Sequence, residues 1–418
     1  MEHSMQTLNM GFIGAGFVAK TFHVNALAQM RGIELTGVYS KKGSEELAAL
    51  AGKNQVGECK IFQSIAELCK HCDVISIFAP NPVRIDIMEE IADAIKEGAS
   101  VKGVVCEKPL GRTISEARRL VELAEEAGVQ TFYFENQIYM KAINNALQQL
   151  SPQMQAMGPI SLARSAEEHA GPHEPWFWDP TQQGGGVLSD MGCHSIAVGW
   201  YLLTPWGKPV DYLKPVSVNA STMLLKWGRS KYRKELLQRT GVDYAKTPAE
   251  DFCNGSVTFK HPDSGELVNA QFTNSWMYDK LGLRLLMDGI GPGYTLEINT
   301  LKSPLEVFIG DAAAEAIVDA ETALEKATAS RGLLAVQPNE TDLYGYLDEM
   351  INVRDALQQD KKPLLDWTYG LEITKLVQAA YLSAEKGRVV DLTDEKTLKE
   401  LESYRSLISQ GKGADLLY

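Results

Sequence analysis

The stretch Gly184-Gly185-Gly186-Val187-Leu188-Ser189-Asp190-Met191-Gly192-Cys193-His194 sets a carboxylate and an imidazole four residues apart, directly behind three glycines. On a helix that spacing stacks the two side chains on one face. Such a pair changes charge near neutral pH, so it can take a proton from a hydroxyl or return one to a carbonyl oxygen. The same spacing also occurs in plain surface pairs, where the residues do no chemistry. The glycines let backbone, and anything bound there, approach closely. A proton-handling pair of this kind needs a partner for the harder chemistry.

Two further groups have the right residue types. Glu107-Lys108-Pro109 follows a short apolar run, and Lys108 could steady charge developing on an oxygen or serve as a base if its pKa were lowered. Otherwise it is a strand-end lysine facing water. In His169-Ala170-Gly171-Pro172-His173-Glu174-Pro175-Trp176-Phe177-Trp178-Asp179, prolines and glycine imply a loop that carries three consecutive aromatics. His169, Trp176 and Trp178 could wall a substrate, since aromatic faces suit C–H faces of sugar rings. The alternative is a loop that pins itself to the core.

The elements that position these groups alternate. Leu8 to Ile13 is an apolar run, then comes Gly14-Ala15-Gly16-Phe17-Val18-Ala19, then apolar residues at helical spacing through Phe22, Leu27 and Met30. Strand, Gly-x-Gly-x-x-Ala turn and helix is the context of a dinucleotide site. There Gly14 makes the turn, Gly16 clears room for the pyrophosphate, Ala19 lets helix and strand pack closely, and Phe17 and Val18 stand at the helix start. The spacing predicts strands over Ile33 to Tyr39, near Ile61, and over Val74 to Phe78, Gly103 to Cys106 and Thr131 to Phe134. Helices are expected over Glu45 to Ala51, Ser64 to His71 and Ile85 to Lys96, and from a cap at Thr113 or Ser115 to Gly128. Repeated βα order specifies a doubly wound parallel sheet to about residue 137. Its ligand edge, at the carboxyl ends of the strands, holds Ala79-Pro80-Asn81, Glu107-Lys108-Pro109 and Glu135-Asn136. Ser40-Lys41-Lys42 follows the second strand, where an acidic residue would hold the ribose of NAD. Serine and lysines there tilt the expectation toward NADP.

At 418 residues, 44% hydrophobic and 23% charged, the chain is long enough for two domains. We place them at residues 1–137 and 138–418, with the C-terminal helices free to pack back on the first. A net charge of −13 argues against nucleic acid and anionic membrane surfaces as partners. No apolar run reaches membrane-span length, and Met1 to Asn9 lacks a secretory pattern, so a cytoplasmic location is expected. The six cysteines make no disulfide framework, and Cys69-Lys70-His71-Cys72 has no second pair with which to bind zinc. The second domain reads as alternating strands over Val216 to Leu225, Asn254 to Phe259, Leu267 to Thr273, Leu283 to Asp288 and Tyr294 to Ile298. His261 to Gly265 is a turn between two of them. A largely antiparallel open sheet with helices on one face fits, an α+β domain. Asp311 to Ala329 reads as a surface helix and Thr368 to Glu385 as a packed one.

Together, Gly14-Ala15-Gly16, Glu107-Lys108-Pro109, and the three glycines followed by Asp190 and His194 resemble the glucose–fructose oxidoreductase, inositol dehydrogenase and MocA family over nearly the whole chain. The resemblance implies a Rossmann domain, a second domain whose open sheet joins a dimer or tetramer, and an NAD(P)-dependent oxidoreductase acting on hydroxyls of sugars, inositols and related compounds. It implies that Lys108 contacts substrate and nicotinamide ribose, and that Asp190 and His194 bind substrate and transfer the proton. It requires no metal. Arg84 stands where many relatives have histidine, and residues 98–103 form a longer loop than usual. Two other activities share the same residues: a redox-neutral enzyme that oxidises transiently with bound NAD(H), and a dinucleotide-sensing regulator without chemistry. The family reading requires Lys108 and His194 to meet at one substrate.

Overall fold

A computed structural model describes residues 7–280, 282–302, 306–309, 332–335 and 339–418. The chain divides into two compact units, Met1–Lys141 with Thr341–Lys375, and Ala142–Glu340 with Leu376–Tyr418.

The first unit is built on a six-stranded sheet of β1 (Leu8–Ile13), β2 (Ile33–Tyr39), β3 (Lys60–Ile61), β4 (Val74–Ile77), β5 (Gly103–Glu107) and β6 (Gln130–Phe134). The strands run parallel in the order β3-β2-β1-β4-β5-β6, which reverses direction between β1 and β4. That reversal is where ligands enter doubly wound sheets. β4 is buried along its whole length, as a central parallel strand covered on both faces must be. Crossover helices Ser44–Lys53, Ile65–Cys69, Arg84–Lys96 and Ile114–Ala127 lie near the expected bounds. Of the two caps considered for the last, Thr113 is the one used: its Oγ accepts Glu116 N–H at 3.2 Å. Cys69 and Cys72 are buried thiols, each pushed up to about 12 chiefly by burial, which is the inert reading of that pair.

The helix after the glycine turn departs from expectation. It opens as a π-helical turn, Ala19–His23, before the α-helix Val24–Ala28. The wider turn accommodates one residue more than an α-helix would and turns His23 inward, where it is fully buried. The free edge of β6 is closed from far along the chain: Tyr133 N–H donates to Leu365 O, Trp367 Nε1 to Phe132 O and Gln130 Nε2 to Lys361 O.

The second unit holds a seven-stranded sheet of β7 (Leu162–Glu168), β8 (Lys214–Met223), β9 (Phe252–Lys260), β10 (Leu267–Ser275), β11 (Arg284–Gly291), β12 (Tyr294–Asn299) and, near the C-terminus, Val390–Asp391. Pairing is antiparallel except between β7 and β10. β7 is a strand that the sequence pattern does not show: Leu-Ala-Arg-Ser-Ala-Glu-Glu is poor in β-branched and aromatic residues. The His261–Gly265 turn closes the β9–β10 hairpin, with Gly265 at φ 77°. The segment Leu188–Gly192 and the helix Cys193–Leu203 behind it are buried almost throughout, and Gly199 packs so close to Ala270 that a Cβ would lie 2.7 Å from its methyl. Glu306–Ile309 and Gly332–Ala335 form a separate antiparallel pair. The helix expected over Asp311 to Ala329 lies outside the described residues. The expected C-terminal helix spans Trp367–Lys386. No helix among the described residues is long and apolar enough to cross a membrane.

Candidate functional site

In the first unit the expected cofactor residues fall on one edge of the sheet. Gly14 and Gly16 follow β1, Ser40 and Lys41 follow β2, Ala79, Pro80 and Asn81 follow β4, Glu107 and Lys108 end β5, and Asn136 follows β6. Gly14 has φ 107°, and a Cβ there would sit 2.8 Å from the Phe78 carbonyl carbon, so both conformation and contact demand glycine. Gly16 is different: nothing lies within 4 Å of where its Cβ would point. That open space in front of a helix start fits a dinucleotide phosphate. Gly16→Ala should therefore leave the melting temperature of the ligand-free protein unchanged while weakening NAD(H) binding at least tenfold, read by fluorescence titration. Equal binding by the two proteins would show that the space is not used. Phe17 and Val18 are half-buried at the same turn. Ser40 Oγ donates to Lys42 O at 2.8 Å and shapes the turn after β2, leaving Lys41 and Lys42 exposed.

Two of the expected cofactor residues make contacts within the first unit. Glu107 turns its carboxylate inward, with Oε1 2.7 Å from His23 Nε2 and Oε2 accepting Lys108 N–H at 3.2 Å. Burial raises its pKa, but the His23 hydrogen bond and the charges of His23, Lys108 and Arg84 outweigh that and hold it lowered. These contacts tie the end of β5 to the π-helical turn that follows the dinucleotide loop. Asn136 is buried and spends its amide N–H on Tyr344 O at 2.7 Å, tying the downstream segment to β6.

Arg84 is the residue here whose structural role the sequence does not reveal. It is 3% exposed. Its Nε donates to Ala79 O at 3.2 Å, and one terminal nitrogen donates to Glu107 O at 2.6 Å and to Pro109 O. One guanidinium thus fastens the end of β4 to the end of β5, and Lys108 lies between its two β5 anchors.

In the second unit, Asp190 and His194 are both buried. They lie on one continuous helical segment that opens with the π-helical turn Leu188–Gly192 and goes on as α-helix from Cys193. Asp190 Oδ2 accepts the Trp276 indole N–H at 3.3 Å.

The glycine run owes its composition to a carboxylate the sequence reading missed. Glu250, wholly buried, accepts N–H groups from Gly186 at 3.1 Å and Leu188 at 3.0 Å, and Tyr381 Oη–H at 2.6 Å. Tyr381 Oη in turn accepts from Gly186 and Ser189 N–H at 3.1 and 3.2 Å. Together they satisfy the free donors at the start of the Asp190–His194 segment. Burial pushes Glu250 up to about 7, against the lowering effect of these donors. A Cβ on Gly186 would lie 2.2 Å from Glu250 O, and one on Gly185 2.0 Å from Tyr381 Oη.

The aromatic loop is divided. Trp178 is fully buried, donates its indole N–H to Pro172 O at 3.0 Å and packs against Trp227 and Trp276. It pins the loop to the core, the alternative that the sequence offers beside a substrate wall. Trp176 is half-buried against Phe177, with ring centroids 3.9 Å apart. His169 is buried at the end of β7, where its Nδ1 accepts Gly171 N–H at 2.9 Å.

Comparison with known proteins agrees with both units. The family described as oxidoreductase family, NAD-binding Rossmann fold (GFO/IDH/MocA) matches residues 8–135, and the GFO/IDH/MocA C-terminal domain matches residues 153–286. 1,5-Anhydro-D-fructose reductase of Ensifer adhaerens is 29% identical over 44% of this chain and 53% of its own length. D-Glucoside 3-dehydrogenase of Escherichia coli K12 is 26% identical over 47% and 54%. The match thus spans just over half the length of these relatives. Among solved structures, GenD2 from gentamicin A biosynthesis, in complex with NAD, shares the fold with a TM-score of 0.71 at 22% identity, over 94% of this chain and 98% of that one. With a dinucleotide-type sheet edge in one unit and a glycine-framed Asp190–His194 segment over a mixed sheet in the other, the chain belongs to the GFO/IDH/MocA oxidoreductase family.

Proposed function

We propose that the protein is an NAD(P)-dependent oxidoreductase that moves a hydride between nicotinamide and a secondary hydroxyl or ketone of a sugar, glycoside or cyclic polyol. One observation supports this above others. A chain with a dinucleotide-type sheet edge also buries an aspartate and a histidine on a segment whose backbone is held by Glu250 and Tyr381. Bound nicotinamide supplies the hydride acceptor or donor, so the protein must supply position and proton transfer. His194 takes the hydroxyl proton or returns it, and Asp190, steadied by Trp276, holds a neighbouring hydroxyl or the imidazole. Lys108 steadies the charge developing on the substrate oxygen. Trp176 and His169 complete the substrate contacts in this reading.

The reading requires Lys108, from one unit, and Asp190 and His194, from the other, to act on one substrate. A carbohydrate substrate is supported by the relatives, which are a reductase of an anhydro sugar and a dehydrogenase of glucosides. Exposed Lys41 and Lys42 beside Ser40 support NADP over NAD. Exposed Met223 and Leu267 on the sheet of the second unit support association of copies through that sheet.

The test is a panel of sugars, glycosides and inositols, assayed at the reduced-nicotinamide absorbance with NAD and with NADP. Lys108→Met and His194→Ala should each lower turnover about a hundredfold while leaving cofactor affinity within threefold. Cofactor that stays bound and exchanges hydride without net reduction would select the redox-neutral activity. Full turnover by either variant would overturn the assignment, as would a panel with no turnover and no hydride exchange.

A further inference from the structure

Behind the Lys108 turn, the first unit buries an arrangement that nothing in the dinucleotide reading uses. His23 Nε2 lies 2.7 Å from Glu107 Oε1, while its Nδ1 faces Glu349 Oε1 at 4.0 Å. His23 and Glu349 have no exposed side-chain surface. The His23 Nδ1 and both Glu349 oxygens have no hydrogen-bond partner, and Nδ1 and Oε1 stand 4.0 Å apart. Phe78 stacks flat on the imidazole at 4.1 Å and Tyr346 meets its edge at 5.4 Å, which fixes the ring plane. The far end of the chain of groups is Glu107 Oε2, which accepts Lys108 N–H at 3.2 Å. His23 comes from the π-helical turn after the dinucleotide loop, and Glu349 from the helix Tyr346–Gln359.

We propose that His23 and Glu349 are positioning residues: they hold Glu107 as an anion against the Lys108 backbone, and Glu107 thereby fixes the orientation and charge of that lysine. The mechanical part follows from the hydrogen bonds. The β5 end cannot turn without breaking either the His23–Glu107 contact or the Glu107–Lys108 N–H bond. The electrical part follows from burial and sign. Burial first, then the nearby Glu107 and Glu135 charges, raise Glu349 well above the ordinary carboxylate range, which favours its neutral form. Nε2 is the ring nitrogen within hydrogen-bond reach of Glu107, 2.7 Å from its Oε1, while Nδ1 stands 4.0 Å from Glu349 Oε1. Lys108 and Arg84 are among the charges that hold Glu107 ionised, and attraction between opposite charges is mutual. The ionised Glu107 therefore favours the protonated form of Lys108. The groups facing Glu107 are His23, Lys108, Arg84 and Glu349, with Cys106 beside it in the strand and Glu135 beyond Glu349.

The inference rests on the reading of Lys108 as a substrate contact, but its test needs no turnover. The lysines of the full-length protein are labelled by reductive 13C-methylation, and the Lys108 signal is assigned as the one lost in K108R. Its titration is then followed by NMR. In His23→Leu, Glu107 loses its donor and its position, its hold on the lysine weakens, and the Lys108 midpoint should move to lower pH by about one unit. Glu107→Gln, which removes the anion but keeps the shape, should do the same and carries the test if H23L does not fold. His23→Gln keeps an N–H toward Glu107 and should restore the wild-type midpoint. Glu349→Gln, a neutral isostere, should leave it unmoved. A merely structural role would lower the melting temperature in H23L and H23Q alike without moving the lysine. An unmoved Lys108 in H23L and E107Q would overturn the proposal. So would one equivalent of divalent metal in the purified protein that is lost in H23L, because that would make these residues ligands. Absence of turnover on the sugar panel would sink the enzymatic reading and leave this titration standing.

Discussion

Gly186→Ala is expected to destabilise the second unit by about 3 kcal/mol or more and to abolish measurable turnover, with NAD(H) affinity unchanged. The added methyl would lie 2.2 Å from Glu250 O and 2.6 Å from Glu250 Oε2. The nearer atom is backbone, so no side-chain rotation relieves the clash. It is also the acceptor for Val187 N–H at 3.1 Å, so moving it breaks the register between the glycine run and the start of β9. The displacement passes directly into the π-helical turn that carries Asp190, whose link to Trp276 is already long for a hydrogen bond at 3.3 Å. The cofactor residues belong to the other unit, which predicts a separation of effects. Urea unfolding should show a lowered midpoint for the second unit, while nicotinamide fluorescence titration should match wild type. Wild-type stability in G186A would mean that the Glu250 clamp does not set this segment.

This glycine shows how far the sequence could be read. Three consecutive glycines ahead of an aspartate and a histidine are visible as a pattern, and so is Gly-x-Gly between an apolar run and a helical one. Both signals are local, set by residues that touch their neighbours in sequence. What makes the glycines necessary is not local. Glu250 reaches Gly186 across 64 residues and Tyr381 reaches it across 195. Neither has a spacing that marks it, because a buried carboxylate and a buried phenol look in sequence like any other glutamate and tyrosine. His23 and Glu349 escape for the same reason.

The two π-helical turns escape for another. Apolar periodicity is read at 3.6 residues per turn, and a single wider turn shifts the phase by less than the scatter in the pattern. Yet the wider turn after the dinucleotide loop carries His23 into the buried interior. β7 is missed because its alternation is carried by alanine and serine, too small to register as hydrophobic, and its parallel pairing with β10 comes from distant chain. Trp178 and Trp176 are adjacent in type and position, and only the packing of Trp227 and Trp276 against the first separates an anchor from a half-buried ring.

Arg84→Met should cost about 3–5 kcal/mol in the stability of the first unit and weaken cofactor binding by at least tenfold. Methionine fills the volume but leaves the carbonyls of Ala79, Glu107 and Pro109 without the donor they now share. Each buried acceptor left without a donor costs about 1–3 kcal/mol, the Glu107 carbonyl keeps only the weak Cys106 thiol at 3.5 Å, and the Glu107 carboxylate loses a neighbouring cation. Affinity falls with stability here because the carbonyls belong to the two strand ends that form the expected ligand edge. Released from each other, β4 and β5 no longer hold Ala79, Pro80 and Lys108 in a fixed relation. Arg84→Lys separates charge from geometry. An ammonium restores the cation but cannot offer the planar fork that serves both strand ends, so K should recover part of the stability and little of the affinity. Thermal unfolding and NAD(H) titration of the two variants provide the check. If R84K binds cofactor as wild type does, charge alone accounts for the residue and the bridge between the strand ends does not.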